Sequence, residues 1–160
     1  MFGADTQKRA LKTLVATLGE LLRKEGFEKS GAYEWSRSNA WKREEIDLIV
    51  KGSSQLWILP SFRVSLTGAN APPFSINIGR HLYPNGGPNF DIKVPNFGFW
   101  ISRFVNRSVS DVQAAFHWFD AFATPEDCLE CLHLHKKPGC PAYIDIQYIL
   151  RTLIQERATR

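Results

Sequence analysis

The chain has 160 residues, of which 44% are hydrophobic and 22% are charged, and its formal net charge at pH 7 is +4. This length and composition predict one globular domain that buries a core of its own. A pI near 9.1 is only mildly basic, which excludes the concentrated charge of a dedicated DNA-binding protein and favours an acidic partner over a basic one.

The three cysteines lie close together, at positions 128, 131 and 140. Their odd number and short spacing argue against a disulfide framework and favour a reducing compartment. The N-terminal residues contain no apolar signal core, and no segment approaches the roughly 20 apolar residues that span a bilayer. We therefore expect a soluble, cytoplasmic protein without membrane association.

Residues 6–25 have the apolar spacing of an amphipathic helix, with Asp5 or Thr6 as its cap and Gly26 at its end. One face of this helix carries Leu11, Leu14, Val15, Leu18, Leu21 and Leu22.

Alternating apolar and polar residues predict strands within 27–37, 45–51, 55–67 and 74–78. The apolar set of the central pair is Phe62, Val64, Leu66, Phe74, Ile76 and Ile78, which we expect on one buried face. The polar set is Asp47, Arg63, Ser65, Thr67, Ser75 and Asn77, which either lines a cleft or, more commonly for antiparallel sheets, faces solvent. Pro60 predicts a sheet edge or a bulge.

The middle of the chain contains a loop at 83–89 and two short runs, at 91–94 and 97–101, that we interpret as a strand and a turn at the sheet edge. The last third is helical in pattern. Ser110 is the expected cap of a helix to about 122, Thr124 and Pro125 begin a second to about 135, and Pro141 opens a third. This order predicts an α+β fold, a single antiparallel sheet of about four to six strands with helices on one face.

Several short motifs resemble a bacterial family known only as a domain of unknown function. Residues 25–31 resemble the G-F-x-K-x-G part of its opening, 74–79 its F-T-V-N-L-G strand, and 118–119 with 124–127 its C-terminal end. The chain departs from the family at 60–63, where the family carries a Gln-x-Ser strand. The resemblance implies a small α+β domain and supplies no catalytic residues. Small bacterial domains of this kind are often found among immunity proteins that neutralise toxins, which suggests such a role by analogy.

Five soft metal ligands lie within thirteen residues: Cys128, Cys131, His133, His135 and Cys140. On a helix Cys128, Cys131 and His135 share one face, and Cys140 returns from the following loop, which would form a zinc site of three thiolates and one imidazole. The alternative, that Cys128 and Cys131 are small buried apolar residues of a regular helix, is the commoner outcome.

A basic and aromatic band runs through residues 80–83 and 97–107. Its candidate binding residues are Arg80, His81, Tyr83, Trp100, Arg103 and Arg107. Exposed aromatics between arginines form protein-binding hot spots or stack nucleic-acid bases, and the third interpretation places the aromatics in the core.

No spacing in the chain matches a nucleophile with its base or a glycine-rich phosphate loop. We therefore predict a non-enzymatic, cytoplasmic protein that binds a protein partner, of the toxin-immunity or defence-associated kind, without a cofactor. Nucleic-acid binding by the same band and a zinc protein centred on 128–140 are the alternatives. The sequence does not indicate an oligomeric state.

Overall fold

The computed structural model describes residues 2–67, 74–75, 92–120, 122–134 and 141–160. The strands of this α+β domain are β1 (Glu28–Lys29), β2 (Glu34–Ser38), β3 (Lys42–Lys51), β4 (Trp57–Leu66), β5 (Phe74–Ser75) and β6 (Ile92–Lys93). The helices are α1 (Phe2–Lys24), a 3₁₀ helix (Gly98–Trp100), α2 (Ile101–Asp120), α3 (Pro125–Leu134) and α4 (Pro141–Ala158). The predicted fold class is confirmed.

The strands form one antiparallel sheet in the order β1-β2-β3-β4-β5, and β6 pairs with the other half of the same edge of β4. Its centre is the long β3–β4 pair, in register from Lys42 opposite Leu66 to Lys51 opposite Trp57. Phe62, Val64 and Leu66 are buried as predicted. The side chains of residues 74–78, which complete both predicted faces, lie outside the described part of the chain.

Pro60 lies inside β4 without interrupting its ladder with β3. Its partner in the register is Leu48, whose N–H donates to the carbonyl of Tyr33 in the opposite direction. In such a pair both residues direct their backbone groups away from each other. The missing N–H of Pro60 therefore costs no hydrogen bond to β3, and the ladder with β3 contains no bulge.

α1 packs its leucine face into the core and ends at Gly26, whose positive φ of 81° suits glycine at a helix end. The helix begins at Phe2, earlier than predicted, so Asp5 lies in its first turn and neither Asp5 nor Thr6 is the cap. The aromatic core contains Phe119, whose ring lies 6.0 Å from that of Phe27 and 6.4 Å from that of Phe62.

The predicted start of α2 at Ser110 is wrong, because the helix begins at Ile101. The run at 97–101 has the composition of a strand, yet Phe104, Val105 and Val112 continue into the core at helical spacing. Ser108 is buried inside the helix and donates its hydroxyl to the Phe104 carbonyl, 2.9 Å away. The run at 97–101 is therefore a 3₁₀ turn leading into α2.

The predicted start of α3 is confirmed by a reciprocal cap. The Thr124 hydroxyl accepts from the Asp127 N–H at 3.2 Å, and the Asp127 carboxylate accepts from both the N–H and the hydroxyl of Thr124. α4 begins at Pro141 as predicted, and its Ile146 and Leu150, four residues apart on one face, are buried.

The buried face of the sheet also contains an ionic cluster that the alternation pattern does not show. Glu44, whose side chain is 4% exposed, forms ion pairs with Arg37 and with Lys42, the latter at 2.5 Å. Arg37 donates to the carbonyl of Glu25 just after α1, at 2.8 Å, and Lys42 donates to the carbonyl of Phe119 in the last turn of α2, at 3.2 Å. One buried carboxylate thus joins the C-terminal ends of two helices to the sheet.

We predict that Glu44→Gln lowers the free energy of unfolding by about 3–5 kcal/mol, because it leaves two cations without their shared counter-charge. Urea unfolding followed by circular dichroism measures the loss. Glu45→Gln is the matched control, since Glu45 is the next residue of β3 and pairs with Arg43 at 3.3 Å on the more exposed face. Its cost is expected to stay below about 1 kcal/mol. Equal losses in the two variants would contradict the prediction.

Candidate functional site

A groove with a cavity volume of about 350 Å³ lies between β6 and the start of α2. Its lining residues are Ile92, Lys93, Pro95, Asn96, Phe97, Trp100, Arg103, Phe104 and Arg107. Ile92 and Phe104 are buried and form an apolar floor, whereas the three basic side chains are exposed. The groove therefore combines an apolar base with a cationic wall formed by α2.

Helical spacing places the groove residues of α2 on one side of the helix. Trp100, Arg103, Phe104 and Arg107 recur at intervals of three and four residues, so they lie on one stripe of the helix and its leading turn. Phe104 lies beside the core and the two arginines extend along its flank. The other wall is the strand β6, which pairs with β4 through Ile92 and Lys93.

A chain of three side-chain amides fixes the segment between β6 and the 3₁₀ helix. Gln7 donates to Asn96 at 2.6 Å, Asn96 donates to Gln55 at 2.8 Å, and Gln55 donates to the Val94 carbonyl at 2.8 Å. Gln7 is buried and also accepts from the N–H of Leu56 at 2.6 Å. α1, the turn before β4 and the groove segment are thereby held in one arrangement.

Three aromatic side chains within residues 97–100 stand out from the surface beside the groove. Phe97 is 63% exposed, Phe99 is 75% exposed and Trp100 is 43% exposed. They contact one another, with ring centroids 5.8 Å apart for Phe97 and Phe99 and 5.2 Å apart for Phe99 and Trp100. We call these three residues the aromatic patch.

Arg103 and Arg107 are exposed, and neither forms an ion pair with a carboxylate of the described chain. The guanidinium of Arg103 lies over the Trp100 ring, 5.3 Å from its centroid. Such stacking orients a guanidinium and leaves its N–H edge free to bind an acidic group.

Asp111 lies one helical turn beyond Arg107 on the same side of α2 and is partly buried. Burial raises the pKa of the Asp111 carboxyl, and the charge of Arg107 opposes that shift. The cationic wall of the groove therefore ends at an acidic residue.

The structure places three of the candidate binding residues, Trp100, Arg103 and Arg107, along this single groove. Arg80, His81 and Tyr83 lie outside the described residues. Lys93, Asn96 and Gln7 were not predicted. Lys93 and Asn96 lie in a short segment without periodicity, and no local pattern connects Gln7 to residues about ninety positions away.

The predicted metal ligands are only partly described. Cys128 is fully buried in the core, as the alternative interpretation of the cysteines has it. The side chains of Cys131, His133, His135 and Cys140 lie outside the description. Within the described residues, no three His, Cys, Asp or Glu side chains converge on a common point.

Two other polar regions pair their charges internally. On the second face of the sheet Arg63 binds Asp47 at 2.7 Å, and burial still raises the pKa of the Asp47 carboxyl above its ordinary value. A second cavity of about 290 Å³ lies beside Arg37, Lys42 and Glu44, whose charges already meet one another.

Searches of family models, curated proteins and solved structures found no match to this chain. The resemblance to a domain of unknown function therefore stays a prediction. No helix in the described ranges is long and apolar enough to cross a membrane.

We predict that Gln7→Met lowers the free energy of unfolding by about 1–3 kcal/mol, because it leaves the Leu56 N–H and the Asn96 amide without their partner. Gln113→Met is the control, since Gln113 is exposed on α2. Its effect is expected to stay within about 0.5 kcal/mol. Chemical denaturation of both variants tests this, and a neutral Gln7→Met would show that the amide chain does not hold the groove.

The effect of Asp111→Asn on the free energy of unfolding should depend on pH. The folded pKa of Asp111 lies above its unfolded value of 3.8, so ionisation costs the folded state free energy as the pH rises through the folded pKa. The variant cannot ionise, so its stability relative to the parent should increase between about pH 3.5 and about pH 7. Paired urea titrations at the two pH values measure this difference. A relative stability that falls with pH would contradict the assigned direction.

Proposed function

We propose that this protein is a binding protein that recognises a protein partner through the groove and its aromatic patch. The observation that carries the proposal is the exposure of Phe97, Phe99 and Trp100 beside two arginines that lack ion pairs in the described chain. Trp and Arg are enriched among the residues that contribute most to protein–protein binding.

The energetics support an interface. Three neighbouring aromatic side chains in water forgo the stabilisation that burial gives, about 25 cal/mol per Å² of apolar surface. A partner that covers them recovers this free energy. Because the patch is held by ring contacts and the segment before it by the amide chain, little ordering is needed on binding, which favours affinity.

A protein partner fits this surface better than a nucleic acid. Bases bind to aromatic platforms by stacking on open ring faces. Here the aromatic rings contact one another, and the Arg103 guanidinium lies over the Trp100 ring. The salt dependence of partner binding distinguishes a nucleic acid from a protein.

Three further expectations from the sequence stay predictions. They are a cytoplasmic location, a role as an immunity or defence-associated factor, and a zinc site formed by Cys128, Cys131, His135 and Cys140. The clustered cysteines support the first, and the family resemblance supports the second by analogy alone.

We expect the double variant Arg103→Glu, Arg107→Glu to fold normally and to lose its partner, because both side chains are exposed and charge reversal adds repulsion against an acidic surface. The measurement is co-purification of the tagged protein from its source cell, followed by titration of the recovered partner. A tenfold loss of affinity corresponds to about 1.4 kcal/mol.

The control is Arg151→Glu, Arg160→Glu, which introduces the same charge change at exposed positions of the C-terminal region. It should retain the partner. If the groove variant has a native circular dichroism spectrum and keeps every partner at full affinity, the groove is not the interface. A partner that proves to be nucleic acid, with affinity falling steeply with salt, would also overturn the proposal.

A further inference from the structure

We infer that the groove receives an acidic segment of the partner, in which carboxylates pair with Arg103 and Arg107 while a neighbouring apolar side chain occupies the floor. This inference rests on the proposed function and adds the chemistry of the bound segment.

The charges of the groove are of one sign. Arg103 and Arg107 contribute from α2, Lys93 of β6 lies at the edge on the strand face opposite buried Ile92, and no carboxylate is among the lining residues. Arg9 of α1 brings a further guanidinium to the 3₁₀ turn beside the groove, since its Nη2 lies 2.7 Å from the position that a Cβ on Gly98 would occupy. Glycine at this position lets Arg9 approach the turn. An anionic segment is the complement of this arrangement.

The floor requires an apolar group as well as a charged one. Ile92, Pro95 and Phe104 are buried beneath the cavity and supply no charged side chain. Water in contact with such a floor finds few hydrogen-bonding partners, so an apolar side chain displaces it favourably. At about 30 Å³ per water, a volume of about 350 Å³ suits a few side chains of an extended segment.

Asp111 limits how far the acidic stretch of the partner extends. It lies four residues after Arg107, about 6 Å further along the helix axis. A carboxylate of the partner placed there would meet a like charge, which costs binding free energy. The acidic residues of the segment are therefore directed toward Trp100, Arg103 and Arg107, away from Asp111.

The test uses fluorescein-labelled peptides of eight residues as probes. One alternates Glu and Leu, a second alternates Gln and Leu, and a single-stranded DNA octamer serves as the third probe. Fluorescence anisotropy measures their binding to the intact protein, to Arg103→Gln with Arg107→Gln, to Asp111→Asn, and to the control Arg151→Gln with Arg160→Gln.

We expect the Glu–Leu peptide to bind the parent and the control about tenfold or more tightly than it binds the groove variant. The Gln–Leu peptide should bind the parent protein about as weakly as the Glu–Leu peptide binds the groove variant. Asp111→Asn should bind the Glu–Leu peptide several-fold more tightly than the parent does. A native circular dichroism spectrum verifies that each variant folds. The altered side chains are exposed or only partly buried, so native folding is expected.

Three results overturn the inference: equal binding of the Gln–Leu and Glu–Leu peptides, binding that ignores the loss of both arginines, and tighter binding of DNA than of either peptide. The first two leave the proposed function standing if the charge-reversed groove variant still loses its cellular partner. The third removes both, because it assigns the groove to a nucleic acid.

Discussion

The buried carboxylate of Glu44 is the constraint on which the arrangement of helices and sheet depends. It holds Arg37 and Lys42, and these two cations reach the C-terminal carbonyls of α1 and α2. Carbonyls at the C-terminal end of a helix carry partial negative charge, which a cation neutralises. Removing the carboxylate would leave two cations repelling each other without their shared, largely buried counter-charge.

Aromatic rings pack against one side of this cluster. The Arg37 guanidinium lies 4.5 Å from the centroid of the Phe27 ring, and Phe27 packs on Phe119, whose own carbonyl accepts from Lys42. Ionic and apolar contacts thus meet in the same few residues. The C-terminal end of α2 is fixed here, which in turn sets where the other end of the helix emerges.

The N-terminal end of α2 lines the groove, and a second set of polar contacts holds the segment on the opposite side of the groove. The amide chain from Gln7 through Asn96 to Gln55 fixes the segment after β6 against α1. Between these two anchored elements, Arg103 and Arg107 remain free of ion pairs in the described chain. A rigid support with uncommitted charges is what a recognition surface requires, since ordering costs are met during folding rather than on binding.

The amino-acid sequence by itself determined the α+β class, the buried face of β4, the leucine face of α1 and the cap at Thr124, because each depends on periodicity or on neighbours a few residues apart. Helical spacing from Trp100 to Arg107 could also have located the start of α2, but the apolar run at 97–101 resembles a strand. Only the tertiary structure decided that Glu44 and Lys42 are buried, that Gln7 meets Asn96, and that β6 lies beside the groove stripe of α2. These contacts join residues far apart in the chain, and a charged residue in a strand is buried or exposed according to partners that no local pattern specifies.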